Sequence, residues 1–468
     1  MTTANIELYY PSLMIMRYSW VVLIVLLSCC DVPSPQNDYK AVVIGGGLMG
    51  SSAAWHLALG GDRVLLIEQQ SKPPYAKGSS QGKSRIARSF GPPDDIWSYL
   101  HNTTVKEVKE LIRFLNERDT TAHHMEDIYT TSPMNYVRHI KQKSRIEPFL
   151  LNQKDSVVYA SSSQVAKELF DMNISDTTIV LREYKKHTGT INPEALIQKL
   201  HRAVELVGST IHYDTKVTNI STSDQGYRIE TNSTISYTIE TENIFFAAGP
   251  YNGTLLQDIS PSIKDLIIPQ RVFLGYYRIK DDVYHNLGSL GKNKLYNGYP
   301  AINSSLGTRD GGFFTMFEEI DDTGNPLIKI GGHFQRSNIS DMDAVWSQAL
   351  SEEEINWTRE KTILHLNQLD LDILPKDLIL EKEYSCVYSL TANEVPIISH
   401  LIDHNGNQIS SAIILGGLSG VGGKGSLAYG KLAADMYYGK TSDDPLYTKV
   451  IKQVGISRLQ RDFESLSN

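Results

Sequence analysis

Cysteine is nearly absent from this sequence: there are three in 468 residues, and two of them, Cys29 and Cys30, stand side by side near the N-terminus. Beyond them only Cys386 remains, which excludes a disulfide framework. An isolated cysteine is either a buried apolar filler or a thiol with chemistry of its own. An excess of positive charge is missing too. Lys and Arg number 45 against 53 Asp and Glu, a formal net charge of -8, and no basic run is interleaved with aromatics. A surface built to neutralise phosphate backbones is excluded, and with it nucleic acid as a partner. No metal is expected either, because the pair His123-His124 has no further ligand at suitable spacing and reads as surface. Internal repeats and long low-complexity tracts are absent.

Apolar runs are short. The longest, Trp20 to Leu27, follows Arg17 and precedes Ser28, Cys29 and Cys30. Its length and small flanking residues read as a signal peptide over residues 1–30, cleaved before Asp31, with a membrane anchor over Leu13 to Cys30 as the alternative. Eight N-x-S/T acceptors, at Asn102, Asn173, Asn219, Asn232, Asn252, Asn303, Asn338 and Asn356, point toward secretory passage. Asn252 and Asn338 adjoin motifs placed near a cofactor, so these two are expected to be shielded.

What is present is ordinary globular composition, 41% hydrophobic and 21% charged, with length for two domains. After the linker Asp31 to Asp38, an apolar strand Tyr39 to Ile44 runs into Gly45-Gly46-Gly47-Leu48-Met49-Gly50. A helix over Ser51 to Leu59 follows, Gly60-Gly61 end it, and a second buried strand, Val64 to Ile67, closes on Glu68. That is one βαβ unit in the order a dinucleotide site needs. The glycines bring backbone close to a pyrophosphate at the helix N-terminus, and the acid takes the ribose hydroxyls. The motif alone does not separate FAD from NAD.

Ile244 to Gly249 reads as another buried strand, ending in small residues, Ala247, Ala248 and Gly249, that admit a cofactor. From Ile267 to about Glu381 aromatic-rich strands with polar connections suggest a separate antiparallel sheet. Strand Ala412 to Leu415, loop Gly416 to Gly425 and helix Ser426 to Tyr438 then return to the first pattern. The expected fold is α/β. A discontinuous Rossmann-type domain takes residues 38–120, 186–262 and 384–455, and an antiparallel-sheet substrate domain takes 121–185 and 263–383.

Four further motifs stand apart along the chain: Gly78-Ser79-Ser80-Gln81-Gly82-Lys83-Ser84-Arg85-Ile86-Ala87-Arg88, Lys329-Ile330-Gly331-Gly332-His333, Ser385-Cys386-Val387-Tyr388, and the glycine loop Gly416 to Ser426 with Lys424 near its end. In this order they resemble the monomeric sarcosine oxidase, N-methyltryptophan oxidase and L-pipecolate oxidase group of FAD-dependent amine oxidases, over nearly all of the chain after Asp38. The resemblance implies an FAD held by Gly45, Gly47, Leu48, Met49, Gly50, Glu68, Ala248, Gly249, Gly420, Gly422 and Lys424, with Arg85 against the flavin. It implies a covalent bond from the Cys386 sulfur to the flavin 8α-methyl carbon, which calls for a thiolate near cationic groups. It places the substrate carboxylate on Arg88 and Lys424, Tyr388 and His333 at the amine side, and Lys329 at the oxygen. A fixed cation there stabilises the anion that forms as oxygen accepts its first electron. The loop opening onto a helix N-terminus suits the negative charge of reduced flavin.

Three departures stand out. The group usually has an acid where this chain has Lys83, often an aromatic where it has Gly423, and a pocket tyrosine absent from Gly312-Phe313-Phe314-Thr315-Met316. The last suggests a less polar pocket for a cyclic or larger N-alkyl group. The implied function is a monomeric oxidase of secondary amino acids, such as sarcosine or L-pipecolate, that consumes oxygen and gives an imine and hydrogen peroxide. The alternatives are a dehydrogenase passing electrons to a partner and a flavin-binding protein without turnover.

Overall fold

Ala41–Ile44 and Val64–Ile67 are uninterrupted apolar runs in which every residue is buried, as strands covered on both faces must be. They pair in parallel at the centre of a six-stranded sheet. Ile244–Phe246 and Gln408–Gly416 extend it in parallel on one side and Thr210–His212 on the other, while Ile397–Ile402 closes one edge antiparallel. The computed structural model describes residues 39–90, 96–150, 156–233, 238–298, 302–305 and 312–467. The signal-peptide or anchor segment expected over residues 1–30 lies outside these. Among the described residues no helix is long and apolar enough to cross a membrane.

The helix after the glycine turn spans Leu48–Leu59 and starts three residues before the expected Ser51. Gly47 is its N-cap, so Leu48, Met49 and Gly50 form its first turn. The helix is buried nearly all round, because the Ile96–Arg118, Pro193–Leu206 and Ser426–Tyr437 helices share one core with it. Contact with the last is close: a Cβ on Gly430 would lie 2.1 Å from the Ser52 hydroxyl oxygen.

The second large sheet has nine strands and is mixed rather than purely antiparallel, since Ile302–Ser305 runs parallel to Met134–His139. Its backbone is the Ile268–Ile279 strand, paired with Pro326–Gly332 on one side and along its whole length with Leu378–Leu390 on the other. The strand that carries Cys386 and Tyr388 therefore belongs to this sheet, although its number places it with the 384–455 portion assigned to the nucleotide domain. A 13-residue strand that exchanges hydrogen bonds from Leu378 to Leu390 cannot be divided at 384.

Two local expectations are corrected. His123 is buried: it lies 3.3 Å from Asp119, its ring nitrogen sits 3.0 Å from the Lys199 ammonium, and Asn116 clasps its backbone on both sides. Asn338 is exposed, whereas Asn252 is fully buried and caps Ala248 N through its side-chain carbonyl at 3.0 Å.

Candidate active site

The turn after the first strand is shaped by contacts that only hydrogen can satisfy. Gly45 has φ +100°, and a Cβ there would stand 2.5 Å from the Ala247 carbonyl oxygen, so the turn packs directly on the end of the neighbouring strand. A Cβ on Gly50 would overlap the Gly45 carbonyl at 1.8 Å. Gly50 seats the helix on the turn and is not part of the lining of the large cavity beside it, whereas Gly45, Gly47, Leu48 and Met49 are. Glu68 accepts from Gly46 N at 2.7 Å and Gln70 N at 2.8 Å, and burial raises its carboxyl above the usual range. Ser80 reaches Leu48 N at 3.2 Å and Tyr75 donates to Gly46 O at 2.9 Å. Neither had a role in the sequence reading, because neither lies inside the glycine motif it supports.

A cavity of about 840 Å³ is lined both by this turn and by the strand and loop that carry Cys386 and Lys424, within the roughly 300–1000 Å³ usual for ligand sites. Glu68, Ala248 and Gly249 line one end. Arg85, Arg88, Lys329, His333, Cys386, Tyr388, Gly420, Gly422 and Lys424 line the rest. Every expected site residue except Gly50 thus meets the same space, although they come from separated stretches of chain.

Arg85 starts the short strand Arg85–Ala87 and donates back to the carbonyls of Ser79 at 3.0 Å, Gln81 at 2.5 Å and Ser84 at 2.7 Å. It clamps the loop before it. Cys386 is buried beside this loop, its thiol pushed up by burial while Arg85, the Ser79 hydroxyl and Lys329 pull the other way. The cations that thiolate chemistry calls for are present, but in the folded chain burial outweighs them.

Lys329 is almost fully enclosed and donates to Ser84 O at 2.8 Å and Glu318 Oε2 at 2.9 Å. Burial and the Arg85 charge lower its ammonium to about 7, with Glu318 opposing them. Glu318 was missed in the sequence. It also accepts from Ser84 Oγ at 2.5 Å and Lys83 N at 2.6 Å, while the Lys83 side chain turns outward to Glu319 at 2.6 Å. The departure at Lys83 therefore leaves Lys329 with a carboxylate, supplied from a different strand.

The loop from Gly416 to Gly425 is tied to the Cys386 strand where Ser419 N donates to Ser389 O at 2.9 Å and Thr391 N to Ser419 Oγ at 3.2 Å. Gly420, at φ +78°, lets the loop pass over Tyr388, whose ring would lie 2.7 Å from a Cβ. Tyr388 and His333 meet edge to face at 6.2 Å between ring centroids. Lys424 is buried with its ammonium 4.7 Å from the Trp97 ring centroid, just before the Ser426–Tyr437 helix. Arg88 donates to Phe90 O at 3.4 Å and sits over the Tyr136 ring at 5.7 Å. Nearby Glu183 accepts from Ser89, Phe90 and Tyr136, while the Arg88 guanidinium bonds a backbone carbonyl. Leu274, Phe314 and Met316 supply an apolar wall.

The glycine turn, the acid and the long cavity fit a dinucleotide, and residues 40–436 match the model of the FAD-dependent oxidoreductase family. The chain belongs to that family. This FAD-dependent oxidoreductase is 22% identical over 287 residues to N-methyl-L-tryptophan oxidase of Yersinia pestis, an alignment covering 58% of this chain and 69% of that protein. Its fold is similar to that of L-proline dehydrogenase from P. horikoshii, with TM-score 0.65 and 17% identity over 91% of this chain and 98% of the other. Glycine oxidase from Geobacillus kaustophilus gives TM-score 0.62 and 15% identity over 86% and 96%. The fold is thus the α/β arrangement expected, a mostly parallel sheet that carries the glycine turn and a second, larger sheet that is mixed rather than purely antiparallel. Among the described residues no cluster of three or more His, Cys, Asp or Glu could hold a metal ion.

Proposed function

We propose that this FAD-dependent oxidoreductase is an oxidase of secondary amino acids, N-alkyl or cyclic, close in chemistry to the sarcosine and pipecolate oxidase group, with its flavin held covalently by Cys386. The observation that carries this reading is the meeting of Arg88, Lys424, Lys329, His333, Tyr388 and buried Cys386 in the lining of one cavity. When bound, the flavin supplies the two-electron oxidation of the carbon beside the amine. The chain's own groups bind and orient. Arg88 and Lys424 are two cations for one carboxylate, and charge-assisted bonds of this kind contribute about 1.5–3 kcal/mol each. Tyr388 and His333 set the amine side, with Leu274, Phe314 and Met316 excluding water from the rest of the pocket. Lys329, buried and with its ammonium lowered to about 7, presents a positive charge to oxygen in its protonated form.

A panel of sarcosine, L-pipecolate, L-proline and glycine, with peroxide measured against substrate consumed, tests the reading. One peroxide per secondary amino acid is expected, with the cyclic substrates preferred. Turnover with an artificial dye but not with oxygen would instead establish a dehydrogenase, and flavin that no amino acid bleaches would establish a binding protein.

We also propose passage through the secretory pathway. Asn102, Asn173, Asn219, Asn232, Asn338 and Asn356 all carry acceptor motifs on exposed positions, which supports it. A mass shift on deglycosylation and a mature N-terminus at Asp31 are the expected results.

A further inference from the structure

We propose that Glu318, placed by a β-bulge beside Lys329, is the positioning residue that keeps the Lys329 ammonium charged and fixed at the cavity wall. This rests on the oxidase reading for its catalytic meaning, but the geometry stands by itself. The Phe313–Ile320 and Pro326–Gly332 strands pair regularly through Met316 opposite Lys329 and Phe317 opposite Ile328, then shift so that Glu319 faces Leu327. Glu318 is the extra residue. Bulges re-aim a side chain in this way, and an exposed-looking Glu-Glu pair is split: Glu319 goes to solvent and Glu318 is enclosed, with 6% of its side chain exposed.

Three donors then converge on the Glu318 carboxylate, Lys329 Nζ, Ser84 Oγ and Lys83 N. Lys329 and Arg85 share the Ser84 carbonyl as acceptor, which brings two cations together. Around Gly82, a Cβ would touch Glu318 Oε1 at 2.8 Å, and Arg85 and Lys329 nitrogens at 3.5 Å each. The other groups facing Lys329 are the Tyr276 ring at 5.5 Å, with Lys382 beyond it, and Cys386, while Glu194 accepts from Gly82 N. Of these only Glu318 both carries a full negative charge and bonds the ammonium. The balance is fine, because Lys329 is already lowered to about 7 with Glu318 in place. Burial and Arg85 would take it lower without that carboxylate.

The test compares wild type, Glu318→Gln, Glu318→Asp, Lys329→Met and the double variant E318Q/K329M as flavin-loaded full chains, by thermal melts from pH 5.5 to 8 and by the rate at which oxygen reoxidises the flavin. Lowering the folded-state pKa of Lys329 makes the unfolded chain bind more protons across that range, so stability must fall on acidification. The Tm deficit of E318Q should therefore widen from pH 7 to 5.5, E318D should follow wild type, and adding K329M to E318Q should abolish the widening. Reoxidation in E318Q should be at least tenfold slower at pH 7.5 and recover as pH falls. Parallel melts for E318Q and wild type would overturn the inference. If the Tm gap widens but no variant, wild type included, reacts with oxygen, the oxidase reading fails and the role of Glu318 stands.

Discussion

Gly423 faces the root of the Arg85 side chain: a Cβ added there would lie 2.9 Å from Arg85 Cβ and 3.4 Å from Cγ. Arg85 cannot yield easily, since its guanidinium holds three carbonyls of the preceding loop. The absence of an aromatic at Gly423 thus fits the close approach of its loop to the Arg85–Ala87 strand beside the cavity.

Gly423→Ala should accordingly cost about 1–3 kcal/mol, the usual range for overpacking, and lower the flavin content of the purified protein, because Arg85 must move. Gly423→Phe should be worse. Thermal melts and the flavin-to-protein absorbance ratio check this, and full flavin loading in Gly423→Phe would show that Arg85 is less constrained than its bonds imply.

On the proposed reading Arg88 and Lys424 act together on the substrate carboxylate, and both line the same cavity. Arg88→Met should lower kcat/KM for a secondary amino acid by about 10- to 150-fold, the equivalent of roughly 1.5–3 kcal/mol, while leaving the same amine without its carboxylate nearly unaffected. Arg88→Lys should recover only part, since a point charge replaces a planar fork. Lys424→Met should behave like Arg88→Met. Equal losses on both substrates would assign the two cations to the fold or the flavin instead.

Much of this site was legible because the relevant spacing is local. The strand, Gly45 to Gly50, the helix and Glu68 occupy one continuous stretch, and each element declares itself by apolar runs or glycine. Glu318 was invisible because a bulge has no composition signal, and Glu318-Glu319 before Asp321-Asp322 looks like a solvated edge. His123 misled for a related reason: its burial depends on Asp119, Asn116 and Lys199, partners that only the fold assembles. The sheet that owns Cys386 was equally hidden. Its partner strand, Ile268–Ile279, lies more than a hundred residues earlier, and pairing at that distance leaves no periodicity in either segment.

Cys386 yields a prediction with a definite pH sign. Burial raises its thiol, so the reactive thiolate fraction grows as pH rises past the ordinary thiol value. Unflavinylated protein mixed with FAD should therefore form the covalent adduct faster at pH 9 than at pH 7, read as flavin fluorescence on a denaturing gel against time. Cys386→Ala should bind flavin that acid precipitation removes. A rate of attachment that is flat with pH would mean that thiolate formation does not limit the reaction.

His201 links the glycine turn to acid stability. It is buried on the Pro193–Leu206 helix, with Nε2 2.8 Å from Ser51 Oγ and Nδ1 2.8 Å from Tyr213 OH, and Ser51 in turn donates to Gly46 O at 2.8 Å. Burial lowers it to about 4 from its ordinary value near 6.5. The unfolded chain then binds the proton first as pH falls, so stability is lost between about pH 6.5 and 4 and is unaffected by this group at higher pH. The full swing is on the order of 3 kcal/mol. His201→Gln, which keeps a neutral polar side chain, should flatten that part of the Tm profile while lowering Tm at neutral pH. Because the turn is anchored through Ser51, flavin release on mild acidification should also shift, provided the covalent bond is absent, and His201→Gln in the Cys386→Ala background should retain flavin to lower pH than Cys386→Ala alone. Identical release curves for those two proteins would remove His201 from the acid response of the cofactor site.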